Sequence, residues 1–421
     1  MFSRIGPFLN RVRERLWVRP LVLCFLSVGG AFLAKVADRM ELGGAVPEID
    51  PASIEALLSI VASSMLVVAT FSVASMVSAY ASASSTATPR SFPLVVADDV
   101  SQNALSAFIG AFIFSIVALV ALKNGYYERA GNFALFVLTI AVFAWVVVTF
   151  VRWVDRIARL GRLGATVDKV EQAAQRALRR RRCSPYLGGL PADTGTPTGR
   201  AVYGTKIGYV QYVHVPELQR CAQDQSLRIA VAAIPGTFAA PDIPLAYITE
   251  FEADGGNIDT AGIESAFEIG DDRVYEDDPR FGLIALSEIA GRALSPAVND
   301  PGTAIDIIGT LIRLFADWSR PLDEGKAEAA RCELVRVPAL SVYDMFDDAF
   351  TAIARDGAAS IEVQLRLQKA LCSIASLDDA VLRPPARRHS RLALARAKLA
   401  LVLPEEFEAL DKAAQWSADD S

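Results

Sequence analysis

Residue types that build metal and redox sites are scarce in this 421-residue chain. It holds only two histidines, His214 and His389, and five scattered cysteines, the nearest two being Cys183 and Cys221. A histidine-rich metal site and a CxxC pair are therefore excluded, and an odd number of scattered thiols suits a reducing compartment. A phosphate-binding glycine loop, G-x-S-x-G and H-E-x-x-H are also missing. We predict no metal, no cofactor and no enzymatic activity.

Charge is missing from three long stretches of the sequence. Residues 56–89, 100–122 and 130–151 contain no Asp, Glu, Lys or Arg, and uncharged apolar runs of about 18 residues or more predict membrane spans. A shorter apolar stretch, Leu21 to Ala34, lies between Arg19 and Lys35, whose side chains can snorkel to lipid headgroups. The alternative for this first stretch is a cleaved signal peptide. We predict four transmembrane helices, the second of which begins at Asp50-Pro51.

The remaining charge is divided unequally along the chain. Residues 1–182 hold 20 Lys/Arg and 12 Asp/Glu, whereas residues 183–421 hold 22 and 36. Arginines precede the first span (Arg4 to Arg19) and follow the fourth (Arg152 to Arg182), so the positive-inside rule places both termini in the cytoplasm. The acidic second half suits a soluble domain and disfavours nucleic acid as its partner.

The second span is unusually rich in hydroxyl side chains among alanines. Ser72, Ser75 and Ser82 fall on one helical face together with Ala79 and Thr86. One interpretation is a hydrated face that lines a pore. The alternative is close helix packing within or between protomers, because small residues allow helices to approach and hydroxyls bond across them.

A basic helix is predicted directly after the spans, over residues 165–182. It ends in Arg179, Arg180, Arg181 and Arg182, which are candidates for binding anionic lipid headgroups. The alternative is that these charges only determine topology.

The rest of the chain changes pattern several times. Residues 183–200 are rich in Gly, Pro and Thr and predict a linker. Alternating β-branched and aromatic residues then predict strands at 206–215, 227–234 and near 245–248, with a short helix after Pro216. From Asp278 onward the pattern is helical, with Asp278-Pro279, Ser295-Pro296 and Asp300-Pro301 as helix starts, and later helices at about 341–356, 360–377, 387–402 and 404–416.

These patterns predict a mainly α membrane protein, in which four transmembrane helices precede a cytoplasmic α+β module and a helical C-terminal bundle. The expected boundaries are 1–164 for the spans, 165–200 for the basic helix and linker, 201–270 for the module and 271–421 for the bundle.

Three segments resemble a known family. The motifs DPRFGL (278–283) and RALSPAVNDPGTA (292–304), with GYVQYVHVPEL (208–218) upstream, are similar to those of a bacterial family of predicted membrane proteins, domain of unknown function 2254. The resemblance covers nearly the whole chain and implies four spans before a cytoplasmic domain. It implies no activity. One departure is His214, where the family pattern suggests an acid.

The motifs place several chemically useful side chains close in sequence: Asp278, Arg280, Asn299, Asp300 and Thr303. Two carboxylates can bind a divalent cation or transfer protons. The alternative is structural, because Asp278 and Asp300 precede prolines as helix caps and Arg280 can pair with Asp277 or Asp300. His214 is expected to be structural, and His389 to lie on a solvated helix face.

The sequence leaves two functional hypotheses. In the first, copies of the chain assemble into a channel-like pore lined partly by the second span, with the cytoplasmic domain as an assembly and sensing platform. In the second, the protein is a membrane-anchored scaffold or ligand sensor that conducts nothing. The lipid bilayer is a partner in both.

Overall fold

A computed structural model describes residues 18–39, 46–96, 98–159, 162–193, 195, 199–251, 258–321 and 331–418. The chain divides into two compact units, Met1–Thr166 and Val167–Ser421, here called the span unit and the second unit. The basic residues before Arg19 and the acid Glu41, used above to predict orientation, lie outside the described residues.

The span unit is built from long apolar helices. Among the described residues, four helices are long and apolar enough to cross a membrane, over Pro20–Asp38, Pro51–Ser82, Asp99–Lys123 and Arg129–Ile157, which confirms the four predicted helices. The helices of this unit are α1 (Val18–Arg39), α2 (Pro51–Thr86), the short α3 (Phe92–Val96), α4 (Asp99–Lys123) and α5 (Arg129–Ile157). With its 36 residues, α2 is about 54 Å long and exceeds the thickness of a bilayer core.

Helix α4 is the central element of the span unit and packs against α1, α2 and α5. Its buried face is rich in small residues, Gly110 among them, and a Cβ at Gly110 would lie 3.0 Å from Leu23 Cδ2 and 3.2 Å from Ser27 Oγ of α1. Glycine therefore permits the close approach of these two helices, as small residues do in membrane interfaces. Phe108 and Trp153 belong to the hydrophobic cluster that α4 forms with α2 and α5.

The second unit begins with the basic helix and continues as a mixed sheet region. Its first elements are α6 (Leu163–Cys183), β1 (Gly189–Pro191), β2 (Arg200–Tyr203), β3 (Gly208–Val213), α7 (Val215–Asp224), β4 (Leu227–Val231), β5 (Phe238–Ala239), β6 (Pro244–Phe251), α8 (Thr260–Ser265) and β7 (Phe267–Gly270). The strands predicted at 206–215, 227–234 and 245–248 are confirmed as β3, β4 and β6.

The second unit then continues through helices with one further strand. These are α9 (Pro279–Ala293), α10 (Pro301–Ser319), β8 (Cys332–Val337), α11 (Val342–Asp356), α12 (Ile361–Ala375), α13 (Arg383–Ala400) and α14 (Pro404–Ala414). The four later helices match the predicted ranges closely. Ser295-Pro296, however, opens a turn rather than a helix.

Two strands correct the sequence-based picture of this unit. The main sheet has the order β1-β8-β4-β6-β2, and β8 runs parallel to both β1 and β4. Strand β1 lies inside the predicted linker, and β8 interrupts the segment predicted to be helical throughout. Strand β8 pairs directly with β4, and its Val335 and Val337 are buried in the same hydrophobic core. The segment predicted to be helical therefore contributes a strand to the sheet of the α+β module.

Candidate functional site

The five predicted ligand or ion residues separate into two groups at opposite ends of α9. Asp278 precedes the first residue of this 15-residue helix, and Asp300 donates its backbone N–H to the carbonyl of Ala293, the last residue. At 1.5 Å per residue the two ends are about 22 Å apart. Asp278 and Arg280 therefore form one group, and Asn299, Asp300 and Thr303 another, so the two carboxylates do not share a site.

Asp278 is a buried carboxylate, 1% exposed, with all of its described bonds inside the second unit. It caps α9 by accepting from the backbone N–H of Arg280 (3.1 Å), and it also accepts from Nε of Arg273 (2.6 Å). The Arg273 guanidinium lies over the rings of Tyr209 and Phe281, 5.9 and 5.6 Å from their centroids. This arrangement joins β3 to the start of α9, because a cation is attracted to both aromatic faces.

Gly236 makes room for the Arg273–Asp278 pair. Its φ is +91°, and a Cβ at this position would lie 2.6 Å from Asp278 Oδ2 and 2.7 Å from the Arg273 guanidinium. Any side chain here would meet both the backbone penalty for positive φ and a collision with the ion pair.

Arg280 joins α9 to α11. Its NH1 donates to Asp344 Oδ2 and its Nε to Asp348 Oδ2, each at 2.6 Å. The expected pairing with Asp277 or Asp300 is wrong, because Asp277 accepts from Arg180 (2.8 Å) and Asp300 lies at the other end of α9. Burial raises the pKa of Asp348, and the bond from Arg280 opposes that rise only in part. The group is thus an alternating network of acids and arginines.

The second group is a helix cap beside an exposed turn. Asp300 accepts from the backbone N–H (3.1 Å) and the hydroxyl (2.6 Å) of Thr303, and these bonds lower the pKa of Asp300. Asn299 has a φ of 50° and donates its backbone N–H to the carbonyl of Ser295 (2.8 Å), while its side chain is exposed. The structural alternative of helix capping is therefore confirmed at Asp278 and at Asp300.

The four arginines of the predicted lipid-binding set have protein acceptors in the second unit. Arg179 pairs with the Asp317 carboxylate (3.0 Å), and Arg182 donates to the Asp317 carbonyl (2.6 Å). Arg180 pairs with Asp277, as described above. Arg181 is 4% exposed and donates to the carbonyl of Pro338 (3.0 Å). The four arginines therefore hold α6 against other elements of the second unit.

Burial disfavours the charged form of Arg181. It lowers the pKa of Arg181 to about 10, although Asp277 acts in the opposite direction. A guanidinium enclosed by its own unit has no route to a headgroup, which corrects the lipid-binding expectation for this residue. Arg179 and Arg180 remain more than half exposed, at 57% and 58%.

The three predicted pore-lining serines of α2 differ in their surroundings. Ser72 is completely buried within the span unit, and its hydroxyl donates to the carbonyl of Val68 (2.8 Å). Ser75 is half-buried and Ser82 is exposed. Within one chain Ser72 thus packs against neighbouring helices, in agreement with the packing alternative. A pore between copies stays a prediction.

Residues 13–373 match a family described as predicted membrane protein, DUF2254. The chain belongs to the DUF2254 family. Curated relatives include uncharacterized proteins of Mycobacterium tuberculosis and Mycobacterium bovis, each 55% identical over 40 residues. That segment is 10% of this chain and spans only 8% of each relative's length. No solved structure matches the chain.

The motifs that carry the DUF2254 resemblance fold into the two groups just described. Tyr209 of GYVQ and Phe281 of DPRF meet around Arg273, whereas the SPAVNDP segment forms the turn and cap beyond α9. His214 precedes α7, half-buried, with its Nε2 4.0 Å from Glu268. Among the described residues, no group of three or more His, Cys, Asp or Glu is arranged to hold a metal ion.

Sequence reasoning missed two buried carboxylates at the ends of the span unit. Asp38 of α1 accepts from Lys35 (3.1 Å) and from the backbone N–H groups of Glu128 (3.0 Å) and Gly131 (2.5 Å), so it caps α5 from another helix. Asp98 caps α4 through Ser101 and pairs with Arg156 of α5. Both ends of α5 are therefore fixed by a carboxylate.

His389 also differs from its prediction. It is 1% exposed rather than solvated, lies against the rings of Phe346 and Phe350, and its Nε2 is 3.0 Å from Asp347. Burial lowers the pKa of His389, although Asp347 opposes the shift.

Proposed function

We propose that this DUF2254 protein is a four-span protein of the bacterial inner membrane, with both termini in the cytoplasm, whose copies assemble into a channel-like pore. The second unit is the cytoplasmic platform for assembly and sensing. The proposal includes no catalytic step, since the carboxylates of both candidate groups serve as caps or partners of arginines.

The exposed face of α2 gives the strongest support for this proposal. Ser59, Ser63, Thr70, Ala74 and Ser78 are all exposed on a helix that is otherwise strongly apolar. Their spacing of four or seven residues places them on one stripe, and small residues four apart are typical of close helix contacts in membranes. A neighbouring copy or a hydrated pathway accommodates this stripe better than lipid tails do.

The hydroxyls of that stripe are partly satisfied by their own helix. Ser63 donates to the carbonyl of Ser59 (2.9 Å), and Thr70 to that of Leu66. Such hydroxyls can therefore face apolar neighbours in a closed state, and their second lone pairs remain available to water. The stripe can therefore pack between copies in a closed state and line a water-filled pathway in an open state.

The proposed orientation rests on the charges beside the spans. Four arginines follow the fourth span: Arg152, Arg156, Arg159 and Arg162. The predicted outer loops are short, and the loop after the first span holds more acidic than basic residues. Cytoplasmic accessibility of a tag at each terminus would test this orientation.

Purified full-length protein in liposomes tests the pore directly. We expect ion flux above that of protein-free liposomes, and a reduction of at least tenfold when the stripe is filled by Ser63→Leu with Ser78→Leu. The matched control is Val73→Leu, on an exposed apolar position of the same helix about 80° around it from Ser63, which should leave flux unchanged. Consistently silent liposomes containing assembled protein would overturn the pore.

A non-conducting scaffold or ligand sensor is the second candidate. The exposed turn at Asn299 favours it, because the Asn299 amide lies on the surface next to the Asp300 cap and an amide both donates and accepts hydrogen bonds. Replacing Asn299 and Asp300 should then abolish binding of a ligand or partner protein while the protein stays folded. Unfolding of the double variant would support helix capping alone.

A further inference from the structure

The second unit exposes large apolar side chains where α13 turns into α14. Leu399 and Val402 are each 91% exposed, and Leu403 is 55% exposed. We call these three residues the hairpin patch. Nothing in the described part of the chain covers it, and clustered exposed apolar residues outside a membrane segment mark interaction sites.

The two helices that flank the hairpin patch carry opposite charge. Helix α13 contains six cations and no acid, whereas α14 contains four acids and one lysine. Arg391 is exposed on the side of α13 that bears Leu399, since residues eight apart share a helical face, whereas the Lys398 ammonium lies over the ring of Phe407 of α14, 5.9 Å from its centroid. Glu405 and Glu408 are exposed on α14.

We propose that the hairpin patch is a two-fold interface with a second copy of this chain. A rotation about an axis through the patch brings Leu399 and Val402 of both copies together, and lays basic α13 of each copy along acidic α14 of the other. A two-fold interface requires such self-complementarity, and an apolar centre with a charged rim is its usual composition. This inference rests on the proposed function, because it locates the contact by which the platform assembles.

The charge pattern favours a second copy over other occupants. An anionic membrane surface would attract α13 but be repelled by the exposed acids of α14, and an acidic peptide would meet the same conflict. Only a partner with both signs in reversed order satisfies both helices, and a second copy has that order. Copies held in one bilayer also meet at a raised effective concentration, so a modest patch suffices.

Cross-linking of the full chain in liposomes tests the contact. In a background with the five native cysteines replaced, Leu399→Cys should cross-link to itself between copies, since the axis passes through the patch. Val381→Cys, which replaces another exposed apolar residue of the second unit (47%), is the matched control and should remain monomeric. Equal cross-linking of both variants, or of neither, would overturn the interface.

Charge reversal provides a second test that does not depend on cysteine chemistry. Arg391→Glu and Glu408→Arg should each lower the self-association constant at least tenfold, and the two changes in one chain should restore it, because each new acid then faces a new base. Both positions are exposed, so folding should be retained. Failure of the double variant to recover would contradict the reversed pairing.

The same samples separate this inference from the proposed function. Multi-copy protein with ion flux but no Leu399→Cys cross-link would overturn the interface and leave the pore intact. Cross-linked copies without flux would overturn the pore and support the interface.

Discussion

Buried carboxylates serve different purposes in the two units. In the span unit Asp38 and Asp98 lie at helix ends, where each caps a helix and pairs with a cation. In the second unit Asp278 and Asp348 lie between elements and bind arginines that connect a strand, α9 and α11. The difference shows where buried charge is tolerated. Membrane-spanning helices keep it at their ends near water, whereas the second unit uses it between elements as an internal crosslink.

The largest effect should come from breaking an internal crosslink. Asp278→Ala removes a helix cap and leaves the mostly buried Arg273 without its carboxylate, and breaking such a pair costs about 3–5 kcal/mol. Urea unfolding of the full chain in detergent, followed by protease resistance of the second unit, would measure it. The matched control is Asp300→Ala, a cap without an arginine, which should cost about 1 kcal/mol. Equal losses would show that Asp278 acts only as a cap.

The next effect should come from a helix end of the span unit. Asp98→Asn weakens the bond to Arg156 and the cap of α4, and a bond to a charged group contributes about 1.5–3 kcal/mol. Heat-induced loss of folded protein in detergent would report it. Asp155→Asn, which breaks the exposed pair with Arg159, should cost about 0–1 kcal/mol and serves as the control.

A third prediction separates backbone strain from collision at the Arg273–Asp278 pair. Gly236→Ala should cost about 1–3 kcal/mol, since it places a methyl group against the Asp278 carboxylate at positive φ. Gly188→Ala has a similar φ of +86° with open space around the Cβ, so only the strain remains. If both variants lose the same stability in urea, the collision contributes nothing.

The smallest predicted effect is a pH dependence at His389. Because burial lowers its pKa in the folded protein, the unfolded chain binds the proton more readily once the pH falls below the ordinary value of 6.5. The free energy of unfolding should therefore decrease as the pH drops from 7 to 5. His389→Gln should flatten this dependence. A stability that rises on acidification would contradict the buried neutral ring.

Local sequence signals predicted the helix caps but not their partners. A helix cap involves residues only two or three positions apart. The sequences that begin at Asp278-Pro279 and Asp300-Pro301 are therefore sufficient to predict a cap at each site. Asp344 and Asp348 reach Arg280 only through folding, from 64 and 68 positions away. Arg273 is five positions from Asp278, a separation that matches no capping or helical spacing rule. Asp38 escaped prediction for the same reason, since it caps a helix that begins 91 residues later.

Strand β8 and the burial of His389 were not predicted either, for different physical reasons. Strand β8 is six residues long between helical segments and pairs with β1 and β4, both distant in sequence. His389 lies in a run of arginines, which favours a solvated face, yet its burial depends on the aromatic rings of α11. Composition predicts exposure on average, and tertiary packing decides it for a single side chain.

We propose that copies of the chain assemble around the exposed stripe of α2. The number of chains per particle in lipid nanodiscs, determined together with the position of α2, is the decisive measurement. We predict several copies around one axis, with Ser63, Thr70 and Ser78 facing a neighbouring copy or the central pathway. A single chain per disc, with that stripe in contact with lipid alone, would contradict the claim.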